Sequence, residues 1–212
     1  MVNESMEDEM LDKTKRDKIQ QASLEEFAEH GYEKASTDRI SQRAEVSKGL
    51  IFHYFGSKSK LYMITINSCI NEMLEDFKNV DIDNNDFKST IKLLLELKYR
   101  YFADNPLKYK LIVNGFHNSP KELKEELVKK YHDLMEIGLN IFTDIIKKLP
   151  LKKDVSIEGV VTVIAAIQNT LLSKYLSIFT DDTVSFEKYY NKVADEFISL
   201  LNIVMYGIID EK

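Results

Sequence analysis

Residues 36–55 read STDRISQRAEVSKGLIFHYF, and this segment sets the architecture of the N-terminal region. It predicts two short helices joined by a turn of about three residues. Ser36 or Thr37 precedes the first helix and Ser47 precedes the second, as residues that cap helix starts do. Small or branched apolar residues fall at inward positions, namely Ile40, Ala44, Val46 and Ile51. The spacing predicts a helix-turn-helix, in which the first helix braces the second.

The flanking residues extend this motif into a three-helix domain. In residues 13–30, one helical face collects Ile19, Ala22, Ser23 and Phe27. Gly31 follows at a position where helices commonly end. Ser57 precedes a longer helix that begins the rest of the chain. We therefore expect a helix-turn-helix domain over residues 13–60, after an acidic, flexible terminus over residues 1–12.

The remainder of the chain, residues 61–212, predicts long helices. Apolar residues recur there at steps of three and four, and the whole chain has only 7 Gly and 3 Pro. The predicted helices span about residues 86–104, 107–115, 120–149, 155–179 and 186–208. The expected fold is all-α with about nine helices, divided between the small N-terminal domain and a larger C-terminal domain.

Charge is distributed unevenly along the chain, whose net charge is −6. Residues 1–12 carry five acidic and no basic side chains. Residues 13–60 have a net charge of +3, and residues 61–212 have a net charge of −4. This asymmetry is typical of a small basic module that faces a polyanion and is attached to an acidic body.

Composition and spacing exclude several classes of protein. The acidic N-terminus lacks the apolar stretch of a secretory signal, and the longest apolar stretch, residues 159–167, is too short to span a bilayer. The single cysteine, Cys69, leaves neither a disulfide framework nor a cysteine-based zinc site. The four histidines form no HxxxH or HExxH pair, and no phosphate-binding glycine loop or nucleophile elbow is present. We expect a soluble cytoplasmic protein that contacts no membrane, is not an enzyme and carries neither metal nor cofactor.

The second helix of the motif exposes a face suited to double-stranded DNA. Its first turn would present Lys48 to guanine O6 and N7, and Gly49 lets the backbone come close to the groove. The surrounding hydroxyls, a histidine and a lysine suit phosphate contacts. The candidate DNA-binding residues are Thr37, Ser47, Lys48, Gly49, Leu50, Phe52, His53, Tyr54 and Lys58. For Phe52 and Tyr54, the alternative role is packing inside the small domain. For Lys58, the alternative is a solvated side chain that makes no DNA contact.

Residues 27–61, FAEHGYEKASTDRISQRAEVSKGLIFHYFGSKSKL, resemble the N-terminal domain of the tetracycline-repressor (TetR) family. The resemblance rests on Phe27, Gly31, Tyr32, Thr37, Ile40, Ala44, Val46, Ser47, Gly49, Ile51, Tyr54, Phe55, Lys58 and Leu61. Three positions depart from the usual pattern. Ser41 replaces a small apolar residue, and Phe52 replaces a tyrosine that commonly reaches phosphate. Glu45 occupies a turn position often held by glycine, which predicts some left-handed backbone strain.

The resemblance implies a homodimeric transcriptional regulator. In this family the last two helices pair with their symmetry mates as a four-helix bundle. The implied interface residues are Val160, Ile164, Ile167, Leu171, Tyr190, Val193, Phe197, Leu201 and Val204. Because a dimer supplies two recognition helices, the operator is expected to be near-palindromic, with half-sites about one helical turn apart.

The resemblance also implies a small hydrophobic or aromatic effector that releases the DNA, with repression as the usual outcome. Aromatic and polar residues of the middle and late helices suit an apolar pocket. The candidates are Tyr99, Phe102, Phe116, His117, Gln168, Asn169 and Tyr175. Core packing is the alternative role for each of them. Two other functions stay open: control of DNA binding by a protein partner, and a helix-turn-helix that serves only as scaffold.

Overall fold

The structure is a computed structural model, and it describes residues 2–78, 87–179 and 186–206. Within these ranges the chain forms nine α-helices and no strand, which confirms the predicted all-α fold. The helices are α1 (Val2–Lys34), α2 (Thr37–Arg43), α3 (Lys48–Phe55), α4 (Lys58–Lys78), α5 (Phe87–Asp104), α6 (Pro106–His117), α7 (Lys124–Ile146), α8 (Ile157–Phe179) and α9 (Phe186–Tyr206). A short 3₁₀ helix, Lys121–Leu123, leads into α7. The predicted helix limits at residues 86 and 208 lie outside the described residues.

None of the helices in the described ranges combines the length and the apolar composition that a membrane-spanning segment needs.

Serine caps set the starts of α2, α3 and α4, as the sequence predicts. Ser47 Oγ accepts a hydrogen bond from the Leu50 N–H at 3.3 Å. Ser36 and Ser57 make equivalent bonds to amides of their own first turns. Each bond satisfies a backbone donor that the helix itself leaves unpaired, so the three starts are fixed locally.

Three residues in the N-terminal region have positive φ angles: Gly31, Glu45 and Gly56. Gly31 interrupts α1 with φ 67° and ψ 173°, a backbone conformation that residues with a Cβ rarely adopt. Glu45 lies between α2 and α3 with φ 57°. The left-handed conformation predicted at Glu45 is therefore confirmed, and its carboxylate lies 3.1 Å from Lys18 Nζ on α1.

Residues 2–12, which the sequence predicts to be an acidic, flexible terminus, are helical in the structure, and their flexibility stays a prediction. α1 begins at Val2 and runs through this segment, which contains neither glycine nor proline. Arg16 pairs with Asp12 one turn earlier at 3.3 Å. Asp12 also accepts a hydrogen bond from the Tyr54 hydroxyl of α3. The absence of glycine and proline and the contact of Asp12 with Tyr54 both favour a helix here. The acidic charge of the segment does not by itself indicate a helix.

The chain divides into two compact units, and the first comprises Met1–Glu75 and Asn105–Lys129. Within it α1 packs against α2 and α6. Its buried apolar side chains include Ile19, Phe27, Ile40, Ala44, Ile51, Phe55, Leu61, Tyr62, Ile66 and Leu111. The inward positions predicted for the helix-turn-helix thus belong to a core that also includes residues of α4 and α6.

The second unit comprises Asp76–Asp104 and Lys130–Lys212. In this unit α9 packs against α5 and α8. The core consists of Ile91, Leu95, Phe142, Ile145, Ile146, Ile164, Leu171, Tyr175, Val193, Phe197 and Leu201. The contacts do not divide the chain at residue 60, because α4 and α6 complete the first unit. A functional division into residues 13–60 and 61–212 stays a prediction.

Candidate nucleic-acid interface

The candidate DNA-binding residues all lie in the first unit, in α2, α3 and α4 or at a helix cap. Those with exposed side chains or backbone are Ser47, Lys48, Gly49, Phe52 and His53. Those that are half-buried are Thr37, Leu50, Tyr54 and Lys58. α3 turns Ile51 and Phe55 into the core. Its opposite face, which begins at Lys48, is therefore available to a partner.

The first turn of α3 is open on its outer side. A Cβ at Gly49 would meet only Ser47 Oγ within 4 Å, at 3.9 Å, so nothing hinders approach to this stretch of backbone. Lys48 Nζ lies 2.9 Å from each carboxylate oxygen of Asp38, at the start of α2. The predicted base reader is thus held by a carboxylate that the sequence reasoning did not single out.

Tyr54 is tied to α1. Its hydroxyl donates a hydrogen bond to the Asp12 carboxylate, and the Arg16 guanidinium lies 4.8 Å from the centre of its ring. The hydrogen bond to Asp12, followed by burial, raises the pKa of Tyr54. The hydroxyl proton is committed to the protein, so a phosphate contact through it would require an exchange of partners.

Lys58 is half-buried at the start of α4 and contacts the end of α1. Its ammonium lies 4.7 Å from the ring centre of Tyr32 and 3.4 Å from the backbone oxygen of Glu33. Tyr32 in turn donates a hydrogen bond to Glu122, beside the start of α7. These contacts give Lys58 a structural role, and its role as a phosphate ligand stays a prediction.

A buried carboxylate braces α2 against α1. Glu26 is 0% exposed, and its carboxylate accepts hydrogen bonds from Arg39 Nε at 2.9 Å and from the Ser36 N–H at 2.8 Å. Burial opposes ionisation of Glu26, but the hydrogen bonds from Arg39 and Ser36 outweigh it and lower the pKa. Arg43 reaches Glu29 on α1 at 2.8 Å. The two arginines of α2 therefore pair with α1.

The candidate pocket residues fall in both units. In the first unit Phe116 is half-buried and His117 is exposed. In the second, Phe102 and Tyr175 are buried, Gln168 is half-buried and Asn169 is exposed. The Tyr175 hydroxyl donates to Glu196, and its ring belongs to the core, as the packing alternative requires. The side chain of Tyr99 lies outside the described residues, and the pocket stays a prediction.

The candidate dimer residues separate into inner and outer positions. Five of them belong to the protomer's own core: Ile164, Leu171, Val193, Phe197 and Leu201. Val160 and Ile167 are half-buried, Val204 is 40% exposed, and the side chain of Tyr190 lies outside the described residues. Sequence reasoning missed other exposed apolar residues on the same helices, among them Val163, Ile203 and Met205. A stripe with steps of three and four identifies an apolar face but not what covers it.

Two further residues of the interface region gave no usable sequence signal. Asp38 lies ten residues before Lys48, and Asp12 lies 42 residues before Tyr54. Neither pair lies within a single helix, because the tertiary fold brings its two members together. Only the presence of an acidic residue in the first turn of α2, where the helix dipole favours it, could have drawn attention to Asp38.

Comparison with known proteins agrees with this arrangement. Residues 19–63 match the family described as "Bacterial regulatory proteins, tetR family". The "Biofilm operon icaADBC HTH-type negative transcriptional regulator IcaR" of Staphylococcus epidermidis is 23% identical over 191 residues, which cover 90% of this chain and 98% of the relative.

Solved structures share the fold. A TetR-like transcriptional regulator from a Rhodococcus species has a TM-score of 0.67 at 14% identity, covering 92% of this chain and 97% of that one. The transcriptional regulator FadR from Bacillus subtilis, in complex with stearoyl-CoA, has a TM-score of 0.61 at 19% identity, with 86% and 97% covered.

The family match contains the whole helix-turn-helix, including its exposed first turn at Lys48. The likeness to relatives and to solved structures extends over nearly the full chain. The resemblance of residues 27–61 is thereby confirmed. Residues 19–63 form a DNA-binding domain of the tetracycline-repressor family, and the chain is similar over nearly its full length to transcriptional regulators that carry this domain.

Proposed function

We propose that the chain is a homodimeric repressor that acts in the cytoplasm, binds a near-palindromic operator and leaves it when a small apolar effector binds. The observation that carries this proposal is the outward face of α3. Its first turn is exposed, begins at the Ser47 cap and bears Lys48 and Gly49. Ile51 and Phe55 anchor the opposite face in the core, so the turn is presented on a rigid support.

Lys48 is the candidate base reader. The N-terminal residues of a recognition helix face base edges in the major groove, where a lysine can donate to guanine O6 and N7. Gly49 leaves the adjacent backbone uncovered, which permits close approach to the DNA. A single lysine can account for sequence preference at one position of each half-site.

Phosphate contacts would come from groups around this turn. Ser47 Oγ already accepts from the Leu50 N–H, so its hydroxyl proton remains able to donate to a phosphate oxygen. Lys58 supplies positive charge at the start of α4, and His53 is exposed near the end of α3. Such contacts position the protein on the duplex without reading its sequence.

The dimer would use the outer faces of α8 and α9. Val163, Ile203 and Val204 are each about two-fifths exposed or more, and they lie on the two helices that the family resemblance assigns to the interface. Burying them against a second copy would build a two-fold interface and supply the second recognition helix. In such a dimer the two α3 helices are related by two-fold symmetry, and the operator that they contact should be near-palindromic.

An apolar effector is supported by a neighbour in the fold comparison. FadR from Bacillus subtilis was solved in complex with stearoyl-CoA. Aromatic residues of the second unit, such as Phe102, suit an apolar ligand. Release of the DNA by a protein partner is the second candidate. Stearoyl-CoA can be added to the protein–DNA complex to test the first candidate. Loss of DNA binding would support a small-molecule effector over a protein partner.

The proposal is tested by titrating the protein against DNA from its own upstream region, at two salt concentrations, with random DNA as competitor. Specific binding should survive the competitor and weaken at high salt. Lys48→Ala should cost about 1–3 kcal/mol on the specific site and relax base preference. Lys58→Ala should weaken binding to all sequences and flatten the salt dependence by about one phosphate.

Lys153→Ala is the matched control, because it removes an exposed lysine from the second unit. It should leave both the affinity and the salt dependence near those of the parent. If the Lys48 variant keeps the full sequence preference, base reading by Lys48 is refuted. If the parent binds its upstream region no better than random DNA, the operator lies elsewhere or the helix-turn-helix is scaffold.

A further inference from the structure

Asp38 and Lys48 form a pair on the outward side of the helix-turn-helix. Lys48 Nζ lies 2.9 Å from Oδ1 and 2.9 Å from Oδ2 of Asp38, so the ammonium is centred on the carboxylate. The two side chains remain 48% and 63% exposed. An ion pair this exposed contributes little to folding. The ion pair therefore adds little to the stabilisation that Asp38 gains from the dipole of α2.

The backbone of Asp38 is fixed on both sides. Its N–H donates to Ser36 Oγ at 3.2 Å, and its carbonyl oxygen accepts from Ser41 Oγ at 2.8 Å. The carboxylate thus projects from a rigid helix start, and a rigid support is what base recognition requires.

The two arginines of α2 bind groups other than Asp38. Arg39 binds the buried Glu26 and the backbone oxygen of Lys34, and Arg43 binds Glu29. These bonds direct both arginines towards α1. The Asp38 carboxylate instead pairs with Lys48, at the start of α3.

At a DNA surface, the exposed carboxylate needs compensation. Phosphates repel it, and desolvating it without a partner carries a large penalty. If Lys48 left Asp38 to bind DNA alone, the carboxylate would be stranded inside the interface. If the pair stays together, the carboxylate remains neutralised and still has oxygen lone pairs to offer, while the ammonium has a further N–H to donate.

From this geometry we infer that Asp38 and Lys48 together read one G·C base pair in each half-site of the operator. Lys48 donates to O6 or N7 of guanine, and Asp38 accepts a hydrogen bond from N4 of the paired cytosine. A G·C pair presents these acceptors and this donor side by side in the major groove. The inference rests on the proposed function and adds Asp38 as a specificity-determining residue.

The test uses DNA selected by the parent protein from a randomised duplex library. Each base pair of the selected site is then replaced in turn, and the affinities of the parent, Asp38→Asn and Lys48→Ala are measured for every replacement. Asp38→Asn keeps the size of the side chain but removes its charge. The parent should lose about 5- to 150-fold in affinity when the G·C pair is replaced. Lys48→Ala should lose that discrimination, and Asp38→Asn should weaken it at the same position, because the uncharged amide oxygen is a weaker acceptor for cytosine N4. Both variants should keep the discrimination elsewhere.

Asp17→Asn is the matched control, because it removes an exposed aspartate of α1 and changes net charge equally. It should alter affinity for all duplexes alike and leave the preference profile unchanged. If Asp38→Asn behaves in the same uniform way while Lys48→Ala relaxes one position, Asp38 is not a reader, and the proposed function stands without it. If the parent selects no sequence, both the proposed function and this inference are refuted.

Discussion

Glu26 is a charged residue placed where no water reaches it, and its partners make that placement favourable. Replacing it by glutamine removes the charge while keeping the shape, so the bonds from Arg39 and from the Ser36 N–H weaken. We expect Glu26→Gln to lower the free energy of unfolding by on the order of 2 kcal/mol at neutral pH. Urea denaturation followed by circular dichroism measures the loss.

The same carboxylate gives an acid dependence with a defined sign. Its pKa in the folded state lies below the ordinary value of 4.5, so its contribution is complete above pH 4.5 and disappears as pH falls through the folded pKa. The stability difference between the parent and Glu26→Gln should shrink steadily on acidification below that value. Glu33→Gln, at an exposed position of the same helix, should show a small difference at any pH. A gap that widens in acid would contradict this account of Glu26.

At the same scale, the sequence predicted what is local. The serine caps and the left-handed conformation at Glu45 follow from a few consecutive residues, and both are confirmed. The pairing of Tyr54 with Asp12 could not be predicted, because α1 must first fold across the domain to bring the two together. Only three-dimensional structure reveals that an expected DNA contact already has a protein partner.

At the scale of the helices, α6 lies close against α4 at Gly115. A Cβ there would lie 2.7 Å from Ile66 Cδ1 and 3.4 Å from the Tyr62 hydroxyl, both buried. We expect Gly115→Ala to destabilise the protein, because overpacking of about 1–3 kcal/mol exceeds the gain of about 1 kcal/mol in helix propensity. Ile66→Val removes the clashing methyl and should recover part of that loss in a double-mutant cycle.

Gly138, on α7, supplies the matched comparison, since a Cβ there meets nothing within 4 Å. Gly138→Ala should raise the free energy of unfolding by up to about 1 kcal/mol. Thermal and urea denaturation of the two alanine variants measure the contrast. If Gly115→Ala stabilised the protein as much as Gly138→Ala, the close approach of α6 to α4 would be disproved.

Helix number and type were predictable from the sequence, whereas the extent and grouping of the helices were only partly so. Pro106 begins α6, and Asn105 before it has φ −128° and ψ 61°, outside the α region as expected. The grouping of α4 and α6 with the first three helices was not foreseen. It depends on which apolar faces meet, and periodicity within one helix does not contain that information.

At the scale of the whole molecule, the proposed dimer depends on the outer faces of α8 and α9. Val204→Glu would place a charge in the interface, where it would be desolvated without a partner. We expect this variant to be monomeric by sedimentation and to lose operator affinity. Val128→Glu introduces the same charge at an equally exposed valine of α7 and should stay dimeric. A dimeric Val204→Glu protein would place the interface elsewhere.

At this scale the sequence identified the helices concerned but not their outward residues. Five of the nine residues assigned to the interface are covered by the protomer's own core, Phe197 among them. An amphipathic stripe on a helix is equally suited to its own core and to a partner. The faces can be told apart only when every neighbouring helix is in place.

The first helix has a practical consequence for anyone who purifies this protein. α1 begins at Val2, and Asp12, nearly three turns along, already contacts α3 through Tyr54. An affinity tag fused ahead of Val2 would therefore be joined to a helix that contacts the candidate DNA-binding helix. Tagged and cleaved preparations should be titrated side by side before any operator affinity is assigned to the protein itself.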